Sequence, residues 1–176
     1  MVKRVATTRR RAPYQALDLF AGCGGLSLGF QTAGFQICGG IEIDPIAAAT
    51  HGKNFHASDS RHANAHDVHR EPHELLTSIG HDLAEREIDI LIGGPPCQAF
   101  ARIGRAKLRS ESGRRKQHED DRAWLQDPRV DLYARYLHYV DTLKPKALLM
   151  ENVPDVLNHG GVNLAERICD ELDDHG

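Results

Sequence analysis

An α/β fold built on a parallel sheet is predicted by two observations. Apolar runs alternate with helical periodicity along most of the chain, joined by short turns, which implies parallel strands with right-handed crossovers. The residues able to do chemistry also cluster where the apolar runs end, and ligands of open α/β sheets sit outside the carboxyl ends of the strands.

Each element has its own signal. Residues 1–13 read as a mobile basic tail carrying Arg9-Arg10-Arg11. Residues 14–176 read as one folded domain, the count expected for 176 residues. A short strand over 16–20 runs into the glycine turn Ala21-Gly22-Cys23-Gly24-Gly25, and a helix over 26–33 follows, with Gly34 as its C-terminal cap. A second strand over 35–43 ends in Glu42 and Asp44, and Pro45 opens the next helix. A third strand is expected at 63–66, ending at Asp67, then a helix over 72–79 and a fourth strand over 88–92. Residues 98–127 form a long polar loop. The amphipathic helix over 131–143 places Leu132, Tyr136, Tyr139, Val140 and Leu143 on one face, and a fifth strand over 147–150 follows Lys144-Pro145. The last helix, 162–172, is followed by Asp173 and Asp174, acidic where a helix end favours cations. With Gly176 as a cap and no further strand, the architecture reads as truncated before its last strands. The whole is a Rossmann-like α/β sheet.

Composition bounds what such a domain does. A net charge of −3 leaves any nucleic-acid surface to local patches. The apolar runs are too short to span a bilayer, and the basic N-terminus lacks the apolar stretch of a secretory signal, so a cytoplasmic location is expected and no membrane partner. The four cysteines, Cys23, Cys38, Cys97 and Cys169, lack C-x-x-C spacing, which points to a reduced protein without structural zinc. His62, His66, His69 and His73 recur at helical intervals, but Asn64, Asp67 and Pro72 argue against one helix, and no metal site is expected.

The most specific stretch is Gly93-Gly94-Pro95-Pro96-Cys97-Gln98. Two prolines stiffen the backbone just before a thiol at a strand end, where it can attack a ligand in the crevice. Cys97 is the candidate nucleophile. Cys23, Cys38 and Cys169 read as packing residues.

Three motifs in order, Asp18-Leu19-Phe20-Ala21-Gly22-Cys23-Gly24-Gly25, the Pro-Pro-Cys-Gln run and Glu151-Asn152-Val153-Pro154, resemble the cytosine-C5 methyltransferases that use S-adenosylmethionine. The resemblance runs from about Gln15 to about Leu157. It implies a sheet of the S-adenosylmethionine-dependent methyltransferase type and a catalytic and cofactor-binding domain at 14–176. The family's basic Gln-x-Arg-x-Arg motif, target-recognition domain and returning helix do not occur in this sequence. A dinucleotide site is the rival reading of the glycine turn, but G-x-G-x-x-G would need glycine where Ser27 stands.

The resemblance also implies roles. Phe20, Gly22, Gly24 and Leu26 would cradle the cofactor, with Glu42 on the ribose hydroxyls and Asp67 and Val68 at the adenine. Pro95 and Pro96 would wall the base pocket, with Pro95 also on the cofactor side. Cys97 would add to C6 of cytosine, and Glu151 would serve N3 as a protonated carboxyl group, which needs a raised pKa. Asn152 would orient neighbouring backbone. Cytosine C6 is hidden in a duplex, so the base must be flipped out. Gln98, Arg102, Arg105 and Lys107 in the loop after the nucleophile would contact double-stranded DNA. Ala101 departs from the serine frequent in the family. RNA is the less favoured polymer. A complementary chain carrying target recognition, with this chain inactive alone, is the alternative to a self-sufficient enzyme. The resemblance suggests a bacterial, nucleoid-associated enzyme of a restriction-modification system.

Overall fold

The computed structural model describes residues 12–96, 131–154 and 163–175. Within them, four parallel strands form one sheet in the order β2-β1-β3-β4. The strands are β1 (Gln15–Leu19), β2 (Gln36–Ile41), β3 (Ile90–Gly93) and β4 (Ala147–Met150). The helices are α1 (Gly25–Thr32), α2 (Pro45–Phe55), α3 (Pro72–Ser78), α4 (Asp131–Leu143) and α5 (Leu164–His175). The Rossmann-like α/β expectation holds. Strand order reverses at β1, because β2 lies on one side of it and β3 on the other. Such a switch point opens a crevice at the carboxyl ends of the strands.

Local chemistry explains the boundaries. α1 closes with Gly34 at φ +96°, where its N–H donates to the Gln31 carbonyl and that of Phe35 to Phe30. This is the paired bonding of a Schellman cap, and the Phe30 and Phe35 rings meet edge-on at 5.1 Å to seal it. Asp44 caps α2 by accepting from the N–H groups of Ile46 and Ala47, with Pro45 at the first helical position. β2 is shorter than the 35–43 expected, because Glu42 and Asp44 turn to cap backbone N–H groups. β3 starts at Ile90 rather than residue 88; the Asp89 backbone still bonds Gln15 and Lys146, while its carboxylate accepts from the Gln15 N–H and pairs with Lys146.

The expected strand at 63–66 does not form. A 3-10 turn, Ser60–Ala63, stands there, capped by Asp59 accepting from the Arg61 N–H. The segment beyond it makes one bond alongside β2, His66 N–H to the Glu42 carbonyl. The final helix is set two or three residues later than expected, at Leu164–His175, where the Asn163 side chain caps it through the N–H groups of Ala165 and Glu166.

The core joins β1, β2 and β3 to α3 and α4 through Leu17, Leu19, Ile41, Leu75, Leu76, Ile79 and Leu91. On α4 the buried stripe is Tyr133, Tyr136 and Tyr139, with Leu132, Val140 and Leu143 only half-buried beside it. The Tyr136 hydroxyl donates between the carbonyls of Leu91 (3.3 Å) and Leu149 (3.4 Å). That of Tyr139 donates to the Arg70 carbonyl at 3.1 Å. Cys38 is buried as expected, its thiol on the Ala16 carbonyl and pushed up to about 12 by that burial. Cys23 and Cys169 are exposed, contrary to the packing role expected for them. Cys23 lies in the turn just before α1, and Cys169 lies mid-way along α5 on its solvent face.

Candidate active site

The predicted site residues within the described segments gather at the carboxyl ends of the four strands. After β1 the chain turns at once. Phe20 takes φ +59°, a left-handed conformation that costs a phenylalanine energy and marks a turn whose shape matters. Gly22 follows at φ +52° and Gly24 at φ +98°. Gly24 is the N-cap of α1 and offers no side chain to its first turn. A Cβ there would strike the Phe55 ring, so only glycine fits. Leu26 is half-buried in the first turn of α1, and Phe20 is half-buried against the core.

Glu42, just past β2, locks this turn to the neighbouring strand. One carboxylate oxygen accepts from the Gly22 N–H at 2.9 Å and the other from the Asp44 N–H at 2.8 Å. Each oxygen keeps a further lone pair for a ligand. The His66 bond to the Glu42 carbonyl brings Asp67 to the same strand end. Asp67 is half-buried, and bonds from the backbone and ring of His69 hold its carboxyl below the usual carboxylate range. Val68 is buried in the core cluster.

Across the switch point, β3 and β4 build the other half. Pro95 is buried and Pro96 exposed. The Asn152 amide donates to the Pro95 carbonyl at 2.9 Å, tying the end of β4 to the Pro-Pro turn. Glu151 is exposed, and its N–H donates to the Gly93 carbonyl at 2.9 Å. Its Oε2 would lie 3.0 Å from a Cβ on Gly94, so that glycine leaves room for the carboxylate beside the turn. Cys97 is the residue covalently joined to Pro96; it lies outside the described residues, as do Gln98, Ala101, Arg102, Arg105 and Lys107.

The histidines of the 62–73 segment do not converge. His66 bonds the Arg61 carbonyl, His69 pairs with Asp67, and His73 is exposed. His62 stacks on His56 at 3.7 Å instead. Sequence reasoning missed the support behind the glycine turn: Asp18, Ser27 and His51, all buried and in one hydrogen-bonded chain. The signal available was Asp18, a carboxylate inside an otherwise apolar strand.

A Rossmann-like α/β domain, with a glycine turn after β1, a carboxylate after β2 and a Pro-Pro turn after β3, is the class that fold and site define. The chain belongs to the C-5 cytosine-specific DNA methylase family, whose profile matches residues 14–176. It is 40% identical over 173 residues to M.OihORF3336P of Oceanobacillus iheyensis, named as a candidate type II methyltransferase, covering 97% of this chain and 35% of that one. It is 39% identical over 137 residues to the type II methyltransferase M.XorII of Xanthomonas oryzae pv. oryzae, covering 78% and 27%. A crystal structure of a candidate DNA modification methyltransferase encoded within an Escherichia coli prophage matches with a TM-score of 0.61 and 29% identity, over 92% of this chain and 38% of that one. The chain therefore spans about a third of the length of these relatives. Among the described residues no helix is long and apolar enough to cross a membrane.

Proposed function

We propose that this chain supplies the cofactor-binding and nucleophile-bearing part of a DNA cytosine-C5 methyltransferase. One observation carries the reading. The glycine turn braced by Glu42 and the Pro-Pro turn braced by Asn152 face the same crevice from adjacent strands, β1 and β3. The family membership supplies the substrate class.

The residues present fit S-adenosylmethionine. Phe20, Gly22, Gly24 and Leu26 would hold it along the first turn of α1, Glu42 would take the ribose hydroxyls on its remaining lone pairs, and Asp67 and Val68 would border the adenine. When bound, that cofactor supplies an electrophilic methyl group on a sulfonium. The rest of the chemistry belongs to the chain. Cytosine C5 is a poor nucleophile, so the Cys97 thiolate adds to C6 and turns the ring into an enamine. Glu151 holds a proton at N3 as electron density rises there. After C5 is methylated its proton is lost, and the C6–S bond breaks to return the thiolate. Asn152, through Pro95, fixes the approach of the Pro96-Cys97 peptide, and Gln98, Arg102, Arg105 and Lys107 would engage phosphates of a duplex whose target base is flipped out.

The test is intact mass after incubation with S-adenosylmethionine and a duplex carrying 5-fluorocytosine, with a matching RNA in parallel. Fluorine cannot leave as a proton does, so the thiol stays attached to the base. An adduct on the Cys97 peptide with DNA, absent in Cys97→Ser, is the expected result. An adduct with RNA alone would overturn the DNA reading. No adduct from this chain, but one after the C-terminal part of a homologous enzyme is added as a second chain, would show that target recognition comes in trans.

A further inference from the structure

Behind the glycine turn lies a buried polar chain with no part in the chemistry above. Asp18, inside β1 and 1% exposed, accepts from the Ser27 hydroxyl at 2.7 Å and the Ser27 N–H at 3.2 Å. Ser27 is the third residue of α1, so the strand carboxylate serves a first-turn N–H that the glycine N-cap cannot. His51 of α2, also 1% exposed, sets its Nε2 2.9 Å from the Ser27 Oγ. Ser27 has one hydroxyl proton and gives it to Asp18, so its oxygen accepts from His51, which fixes the imidazole as the Nε2–H tautomer.

This arrangement is costly. Asp18 Oδ1 and His51 Nδ1 are buried without a hydrogen-bond partner, and each such atom opposes folding. An apolar side chain at position 51 would avoid the histidine's share of that cost. The surroundings nevertheless hold the imidazole in one place. Ideal Cβ atoms on Gly24 and Gly40 would both crowd its ring, so two backbone segments close over it. Gly24 belongs to the very turn that the Ser27–Asp18 bonds anchor.

We propose that His51 is a positioning residue for the cofactor turn: by donating to Ser27 it holds the Asp18 cap and so sets the first turn of α1 and the glycines before it. The consequence for ligand affinity rests on the cofactor reading above, whereas the positioning itself does not.

The experiment compares the whole chain with His51→Leu, His51→Gln and Ser27→Ala. Two readouts are taken: amide hydrogen exchange at residues 22–28, and binding of S-adenosylmethionine by calorimetry. Gln keeps an N–H donor near the Nε2 position, and Leu removes it. His51→Leu and Ser27→Ala should speed exchange at Ser27 and its neighbours about tenfold, the loss of roughly one buried hydrogen bond, while β3 amides keep their rates. His51→Gln should restore slow exchange. Binding should weaken about tenfold in the first two variants and return to within about twofold in the Gln variant. Unchanged exchange at the turn in both Leu and Ala variants would overturn the proposal. So would a rise spread evenly over all amides with no rescue by Gln, the mark of plain destabilisation. If the wild-type chain binds no S-adenosylmethionine while the exchange pattern holds, the cofactor reading fails and the positioning role stands.

Discussion

Glu42 carries two loads with one carboxylate. Its bonds to Gly22 and Asp44 already knit β1 to β2, and the same oxygens are the proposed acceptors for the ribose. Glu42→Ala should therefore raise the dissociation constant for S-adenosylmethionine by roughly tenfold to a hundredfold, the loss of charge-assisted hydrogen bonds plus a looser turn. Calorimetric titration checks this, and unchanged affinity would remove the ribose assignment. The motif residues Phe20, Gly22, Gly24, Glu42, Glu151 and Asn152 were legible because each sits at a strand end, where sequence shows both the apolar run and its break. Asp18, Ser27 and His51 were not. Their partners lie 9 and 24 residues apart, and nothing local in the sequence announces which polar residues meet in the interior.

Among the elements, α4 turns the expected face inward and adds one residue to it. The span Asp131–Leu143 is the one its periodicity predicts; Tyr136 and Tyr139 of that face are fully buried, Leu132, Val140 and Leu143 pack against the core, and Tyr133 joins the buried stripe. A tyrosine can be buried where its hydroxyl finds an acceptor, and the sheet carbonyls of Leu91 and Leu149 supply two for Tyr136. Burial pushes that hydroxyl's pKa up, so it stays a donor at any working pH. Tyr136→Phe should cost about 1 kcal/mol, seen as a melting temperature lowered by about 2–4 °C, the scaling for a domain of this size. No shift in the melt would mean that packing alone holds α4. The missing strand at 63–66 is only weakly signalled by Ala63-Asn64-Ala65-His66. Asp59 caps a 3-10 turn where the ladder would start, and a side-chain cap is invisible to periodicity.

For the molecule as a whole, the buried histidines set its response to acid. Burial lowers His51 and His62 to about 4, with neighbouring imidazoles adding to the effect, and burial also lowers His56. Groups neutral in the fold but charged when unfolded contribute stability above about 6.5 that is lost as pH falls toward 4. Asp18 acts the other way: desolvation raises it to about 6, so it favours the fold as pH drops through that value toward 4. Among the described residues, three histidines against one aspartate leave a net loss in acid. The thermal midpoint should fall between pH 6.5 and 4.5, and His62→Gln should flatten that fall while lowering the midpoint at pH 7.5. A wild-type midpoint that is flat or rising over this range would contradict the balance drawn here.

The pairing of Leu19 with Gly93 across β1 and β3 has a last consequence. The glycine turn departs from one of these residues and the Pro-Pro turn from the other, each braced to its own outer strand by a side chain. The spacing between methyl donor and thiol in the proposed reaction is therefore gauged by one ladder of hydrogen bonds, as jaws are gauged by the thread of a vice. A slip of one residue would move the jaws by about 3.3 Å and turn every side chain of the strand to the opposite face. The two turns, each held by its brace, then carry that spacing from the strand ends into the crevice.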